Sequence, residues 1–181
     1  MLYKAGRRSD CRRPVAWQRI CRSFGIDDGS SGRNTTIVMN IEEAQTLQLD
    51  FTKTTQIAAA GHQVIPAIAQ DVRTGVVLIV GYANAQALEA SRRSGLATFF
   101  STSRGELWVK GATSGDFLDL VEIRVNCEQN SVLYLVQPRL GSACHTKQSD
   151  GRNRYSCFYR KLGAGEALEF LENDGRPTEE H

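Results

Sequence analysis

The sequence predicts an α+β fold that is mostly β-sheet, with one or two helices covering the sheet. Short apolar stretches separated by glycine-containing turns recur along residues 64–137, which is typical of strands. One segment, residues 85–94, has helical features instead. A chain of 181 residues fits one domain with a core of its own. No run of about 18 apolar residues occurs, so we expect no membrane span.

The first predicted elements lie between residues 40 and 82. Apolar residues three or four positions apart predict a short helix in residues 40–60: Ile41, Ala44, Leu47 and Phe51. Two strands, Val64–Gln70 and Gly75–Tyr82, follow and are joined by a turn that contains Gly75.

A second helix is predicted at Ala85–Ser94, because Asn84 is a suitable N-cap and Gly95 a suitable C-terminal stop. Four further strands are predicted after it: Ala97–Ser101, Glu106–Lys110, Phe117–Cys127 and Val132–Gln137. In the third of these, Val121, Ile123 and Val125 alternate with polar residues, the period of a strand with one buried face. Near the C-terminus, Glu166–Glu172 predicts one or two helical turns, followed by a polar tail.

Residues 1–38 are basic, with eight Lys and Arg against three Asp and no apolar period. This composition favours a disordered extension, or translated upstream sequence with the true start at Met39. A transit peptide and a nucleic-acid-binding arm are the alternatives. We interpret Cys11 and Cys21, which lie here, as unpaired thiols.

Three of the five cysteines and one histidine fall within residues 126–160: Cys127, Cys144, Cys157 and His145. Thiolates and imidazole suit Zn²⁺, and a catalytic zinc needs three protein ligands and an open position. The spacing alone matches no standard zinc motif, so buried free cysteines and a disulfide remain alternatives.

Several further motifs occur in order between Val64 and Leu162. They are Ile65-Pro66-Ala67-Ile68-Ala69-Gln70-Asp71, Gly81-Tyr82-Ala83-Asn84, Ser101-Thr102-Ser103-Arg104-Gly105-Glu106-Leu107-Trp108, Lys110-Gly111, Thr113-Ser114-Gly115, Ala143-Cys144-His145-Thr146 and Ser156-Cys157-Phe158-Tyr159-Arg160. In these motifs the chain resembles phosphoribosyl-AMP cyclohydrolase, the histidine-biosynthesis enzyme that opens the adenine ring of N1-(5-phosphoribosyl)-AMP.

The resemblance implies a cyclohydrolase-like domain at residues 39–163, with a short helix and polar tail at 164–181. It also implies a cytoplasmic homodimer in which Cys127 of one chain meets Cys144 and Cys157 of the other to hold zinc. Zinc lowers the pKa of bound water towards ~7 and so supplies hydroxide at neutral pH. His145 is then expected to be a general base or proton shuttle.

The implied substrate is a nucleotide with two phosphates. Arg104, Lys110, Thr113 and Ser114 form a basic stretch of small residues suited to contact the phosphates or the base. Trp108 fits either stacking on the purine or a place in the core. Arg160 fits either a phosphate contact or the surface.

The chain also departs from the family pattern. Asn126, Glu128 and Asn130 stand where the family has three aspartates that hold Mg²⁺, and one carboxylate in place of three predicts weak magnesium binding. Smaller departures are Ala83, Thr102, Ala112 and Asp116. The interval between Cys144 and Cys157 is longer by about six residues, a loop insertion that contains Ser149–Asn153.

Three functions agree with these observations. The first is the cyclohydrolase reaction. The second is a paralogue that hydrolyses another purine-like nucleotide, which the altered aspartates and the loop insertion favour. The third is a non-catalytic, zinc-bound dimer that binds nucleotides. The presence of His145 beside the three cysteines argues against this third function, because a purely structural zinc site needs no such histidine. Nucleic-acid binding rests on the basic segment alone.

Overall fold

A four-stranded sheet forms the centre of the fold. The computed structural model describes residues 40–178. Four strands, β1 (Ile65–Asp71), β2 (Val77–Ala83), β5 (Leu118–Val125) and β6 (Val132–Pro138), form the sheet in the order β2-β1-β6-β5. Strands β1 and β6 run parallel, and the other neighbours are antiparallel.

Two smaller strand pairs and two helices complete the described part of the chain. Strands β3 (Thr98–Ser101) and β4 (Glu106–Val109) form one hairpin, and β7 (Arg160–Leu162) pairs with β8 (Leu168–Phe170). The helices are α1 (Lys53–Ala59) and α2 (Ala85–Ser94), and a 3₁₀ turn spans Glu172–Gly175. The predicted α+β class, mostly sheet with covering helices, is confirmed.

Helix α2 has the predicted bounds and caps. The Asn84 side chain accepts a hydrogen bond from the Ala87 N–H (2.8 Å), and Gly95 adopts the left-handed conformation (φ 67°) that ends the helix. The helix buries Ala87 and Ser91. The Ser91 hydroxyl accepts from the Thr98 N–H (2.9 Å), so the helix is bonded to β3 as well as packed on it.

Aromatic rings and small aliphatic side chains form the core. Phe99 and Tyr134 are fully buried, with ring centroids 5.7 Å apart. Gly81 lets β2 approach Phe99, because a Cβ at this position would lie 2.8 Å from the Phe99 ring. The core therefore extends to the β3-β4 hairpin through this close contact.

The predicted helix around Ile41, Ala44, Leu47 and Phe51 is wrong in position. Helix α1 begins only at Lys53, and the four residues lie before it. The backbone of this segment pairs with a distant part of the chain instead: the Leu47 N–H bonds to the Glu166 carbonyl and the Leu168 N–H to the Gln45 carbonyl, each at 2.8 Å. This pairing uses backbone N–H and C=O groups that would form hydrogen bonds within the segment if it were a helix.

The predicted helical turns at Glu166–Glu172 are also wrong. Leu168–Phe170 is strand β8, whose register with β7 places Lys161 opposite Glu169. The local composition favoured a helix, but pairing with β7 satisfies the backbone instead. A 3₁₀ turn follows at Glu172–Gly175.

Strand β5 is shorter and less buried than its alternating pattern predicts. It ends at Val125, and Val121 and Val125 are 57% and 59% exposed, whereas Ile123 is partly buried. β5 is an edge strand, and its pairing with β6 is irregular between Leu120 and Glu122. The bulge at Val121 interrupts the period of two on which the prediction rested.

Some predictions concern residues outside the described range. The basic segment 1–38, its Cys11 and Cys21, and a start at Met39 all fall there. Across residues 40–178, none of the helices has the length and apolar character that crossing a bilayer requires.

The turn after β4 allows a sharp prediction. Gly111 has φ 92°, and a Cβ there would lie 2.4 Å from the backbone of Asp116 and Phe117. We expect Gly111→Ala to lower the free energy of unfolding by about 3 kcal/mol, from the clash and the left-handed backbone together. Urea denaturation measures this change.

Gly75→Ala is the matched control, since Gly75 has φ 73° but no atom within 4 Å of an added Cβ. This variant should lower the free energy of unfolding by only about 1 kcal/mol, the cost of the left-handed backbone conformation for alanine. Equal losses in the two variants would contradict the close approach at Gly111.

Candidate metal centre and binding groove

Two of the three predicted cysteine ligands lie side by side. Cys144 is buried in the loop after β6, where its N–H bonds to the Arg154 carbonyl (3.1 Å). Cys157 is partly buried, and its N–H bonds to the Leu78 carbonyl of β2 (2.8 Å). Each thiol shifts the pKa of the other, so the two sulfur atoms lie close together.

The interaction between Cys144 and Cys157 gives the two thiols different pKa values. The hydrogen bond from Cys157 lowers the pKa of Cys144 to about 5, against the opposing effect of burial, and the Thr146 hydroxyl (3.0 Å) contributes in the same direction. The pKa of Cys157 is raised, because its thiol donates to Cys144 and because burial disfavours a second thiolate. The lowered pKa favours the thiolate form of Cys144, which is the form that binds a metal.

Lys110, predicted as a substrate-binding residue, is buried near the thiol pair. Its side chain is buried, with 4% of the residue exposed. Burial lowers the pKa of its ammonium, and the negative charges of Asp116, Cys157 and Cys144 oppose that shift. Asp116 is itself buried and accepts hydrogen bonds from the Ser142 hydroxyl (2.5 Å) and the Asn153 amide (2.6 Å).

Cys127 does not join the other two thiols within one chain. It is exposed, in the turn that follows β5. Within residues 40–178, no three His, Cys, Asp or Glu side chains converge closely enough to hold a metal ion. The described part of one chain therefore offers two thiol donors at one place and a third on its surface.

The predicted magnesium residues form a closed turn. The Asn126 amide donates to the Asn130 side-chain oxygen (2.8 Å), and the Asn130 amide donates to the Glu128 carboxylate (2.9 Å). The Asn126 oxygen accepts from the backbone N–H groups of Asn130 and Ser131, each at 3.0 Å. These hydrogen bonds occupy oxygens that would otherwise coordinate a cation, and only one carboxylate is present.

His145 lies at the surface, next to the buried Cys144 in the sequence. Its side chain is 70% exposed, and its Nε2 lies 2.8 Å from Glu42 Oε1. Its charge still contributes to lowering the pKa of Cys144, so the imidazole stands at the rim of the thiol site. Glu42 was not among the predicted residues, because no pattern links two residues so far apart in sequence.

Arg104 and Trp108 share a groove beside the hairpin. The groove has a volume of about 230 Å³, and its walls include Tyr82, Phe100 and Lys53. Arg104 Nε donates to Glu106 (2.5 Å) on the exposed side of the hairpin. The Trp108 ring lies 5.6 Å from Phe99, so it both covers the core and lines the groove. Neither Lys53 nor Tyr82 was predicted as a site residue.

The remaining predicted residues lie elsewhere. Thr113 and Ser114 are exposed in the turn after β4, where Ser114 Oγ accepts from the Asp116 N–H (3.3 Å). The Arg160 guanidinium donates to the carbonyls of Ile41 (3.1 Å) and Ala44 (2.7 Å) through one Nη. It ties the N-terminal end of the described chain to β7.

The thiol pair predicts a distinctive titration of the metal-free protein. A thiolate should appear as the pH rises through about 5, because Cys157 donates to Cys144. Cys157→Ala removes the donor and should move this step up towards the ordinary thiol value of ~8.5. The ultraviolet absorbance of the thiolate measures both.

Cys127→Ala is the control and should leave the low-pH step in place, since Cys127 is exposed in a different turn. The same titration curve in the wild type and Cys157→Ala would show that Cys157 does not lower the pKa of Cys144.

Comparison with known proteins places these residues in a family. The family model for phosphoribosyl-AMP cyclohydrolase matches residues 79–159. A protein of that name from Hyphomonas neptunium is 48% identical over 101 residues, 56% of this chain and 72% of the relative. Those from Sphingopyxis alaskensis and Archaeoglobus fulgidus are 47% and 46% identical over 118 and 102 residues, covering 65% and 56% of this chain and 86% and 88% of the relatives. The chain belongs to the phosphoribosyl-AMP cyclohydrolase family.

Proposed function

We propose that this protein is a hydrolase that opens the adenine ring of N1-(5-phosphoribosyl)-AMP in histidine biosynthesis. The observation that carries the proposal is the proximity of Cys144 and Cys157, with the pKa of Cys144 lowered by its neighbour, in a family member that also has a groove with aromatic and basic walls. Water adds to C6 of the ring, and the N1–C6 bond breaks as N1 gains a proton.

The donors fit a zinc ion shared by two copies of the chain. Cys144 and Cys157 supply two soft ligands from one chain, and the exposed Cys127 of a second copy supplies the third. Such sharing makes metal binding and dimerisation interdependent. A zinc ion bound there would supply hydroxide near neutral pH.

The groove is suited to the nucleotide. Trp108, Tyr82 and Phe100 offer aromatic surface to a purine, and Arg104 and Lys53 provide cations for phosphate. Lys110 follows β4 directly, two residues after Trp108, and its charge interacts with both thiols. We therefore expect the purine end of the groove to lie towards the metal donors.

His145 and Glu42 are suited to move the proton. Glu42 holds the imidazole by Nε2 (2.8 Å), at the exposed rim beside Cys144. An oriented imidazole between the site and solvent is a suitable proton shuttle at neutral pH. The closed turn of Asn126, Glu128 and Asn130, with its single carboxylate, supports activity that does not depend on Mg²⁺.

A direct assay tests the activity. Zinc-loaded protein incubated with phosphoribosyl-AMP should open the ring, followed by absorbance, with little change when Mg²⁺ is added. Cys144→Ala should reduce the rate more than about 100-fold, since even residues that only support metal ligands contribute 10–100-fold.

Cys21→Ala is the matched control for Cys144→Ala. It removes a cysteine that is not a proposed zinc ligand, so it should keep full activity. No turnover by zinc-loaded wild-type protein would refute the cyclohydrolase function and favour the paralogue that acts on another purine nucleotide.

Mixing inactive variants tests the shared site. A dimer of one Cys127→Ala chain and one Cys157→Ala chain keeps one intact set of three cysteines if each set spans both chains. Equal mixtures, refolded together, should therefore recover about a quarter of the wild-type activity.

Mixtures of Cys144→Ala with Cys157→Ala are the control, because each set then lacks a ligand. Recovery in this control, or none in the first mixture, would exclude the sharing of Cys127 between chains.

A further inference from the structure

A polar cavity lies apart from the groove, between the long loop that carries Cys144 and the C-terminal segment. Its volume is about 510 Å³, within the range of small-molecule sites. The loop contributes Ser142, Arg152 and Asn153, and the C-terminal segment contributes Asn173 and Arg176. Arg152 and Asn153 belong to the loop insertion, and residues 173–177 lie beyond the span that the family model matches.

Arg176 is held in place with most of its donors free. Its guanidinium lies over the Tyr155 ring, 4.6 Å from the centroid, and one Nη donates to the Gly141 carbonyl. Within residues 40–178 no carboxylate pairs with it. A guanidinium has five N–H donors, so several remain for a ligand.

Arg152, in the loop that lines the cavity, supplies a second cation. Its Nε donates to Asp150 Oδ2 (2.7 Å), and its backbone N–H bonds to Oδ1 of the same carboxylate (2.9 Å). These bonds fix the loop around Arg152 but use neither of its two Nη groups. The Asp150 carboxylate balances one of the two arginine charges, and the other acid of the cavity is Asp116.

The acid at the floor does not oppose an anion strongly. Both oxygens of Asp116 accept hydrogen bonds, from Ser142 (2.5 Å) and Asn153 (2.6 Å). The positive charge of Lys110 also interacts with it. The cavity thus combines a compensated acid, amide side chains and two arginine forks, and guanidinium forks match the geometry of phosphate oxygens.

We propose that this cavity is a second ligand site that binds a phosphate monoester between Arg152 and Arg176, separate from the aromatic groove. The ligand ties the tip of the long loop to the C-terminal segment. The same loop carries Cys144. Two backbone hydrogen bonds hold the two sides of the loop together, from the Ala143 N–H to the Tyr155 carbonyl (3.1 Å) and from the Arg154 N–H to the Thr146 carbonyl (2.9 Å). Occupancy therefore steadies the backbone that holds the thiol pair.

Calorimetric titration of the full chain with ribose 5-phosphate tests the site. The wild type should show saturable binding, and Arg152→Gln should weaken it about tenfold, because one charge-assisted contact is lost. Arg152 is exposed at the loop, so this variant should fold. Arg176→Lys keeps the charge but loses the fork and the ring contact, and it should also weaken binding.

One variant serves as the control. Arg92→Gln changes an exposed arginine on α2 that pairs with Glu89, and it should bind ribose 5-phosphate as the wild type does. No saturable binding to the wild type, equal binding by Arg152→Gln, or an equal loss of binding in Arg92→Gln would each overturn the proposal. A rise in the KM for phosphoribosyl-AMP in Arg152→Gln that parallels the loss of ribose 5-phosphate would instead place the substrate's own phosphate here, and would overturn a separate site. These binding measurements do not depend on ring-opening activity.

Discussion

The anchoring of Tyr155, Ser156 and Cys157 on the sheet is the constraint on which the site depends. The Tyr155 hydroxyl donates to the fully buried Asp71 of β1 (2.8 Å), the Ser156 hydroxyl to the Val77 carbonyl (2.8 Å), and the Cys157 N–H to the Leu78 carbonyl (2.8 Å). Three consecutive residues are thereby fixed to two neighbouring strands. Because the other end of the loop pairs with Arg154 and Tyr155, this anchoring also determines where Cys144 meets Cys157.

The buried charges around the thiols compensate one another. An ammonium as buried as that of Lys110 needs negative partners, and it has them in Asp116 and the thiol pair. Gly111 allows the chain after Lys110 to approach the backbone of Asp116, which brings these opposite charges together. Packing at one glycine thus supports the electrostatics of the metal donors.

The terminal segments of the described chain close around the same loop. The Arg154 guanidinium lies near the rings of both Tyr159 (4.4 Å) and Phe170 (4.9 Å) and donates to Asp174 (2.8 Å) and Glu43 (3.3 Å). A buried guanidinium is costly to remove from water, and two carboxylates and two ring faces compensate for that cost. Glu43, Phe170 and Asp174 lie outside residues 79–159, so parts of the chain beyond the family model support the loop that carries Cys144.

The sequence by itself determined the fold class, the bounds of α2 and most strand positions, because caps, turn glycines and apolar periods act over a few residues. Its ordered motifs also pointed to the family and to Cys144 and Cys157. It misplaced the helix in residues 40–60 and the helical turns at Glu166–Glu172, where backbone groups pair with distant segments, and the buried face of β5, where a bulge interrupts the period. Only the tertiary structure decided that Lys110 faces the thiols, that Glu42 holds His145, and that Arg152 and Arg176 share a cavity. Each of these contacts joins residues from separate parts of the fold, and no local pattern records which of them packing will bring together.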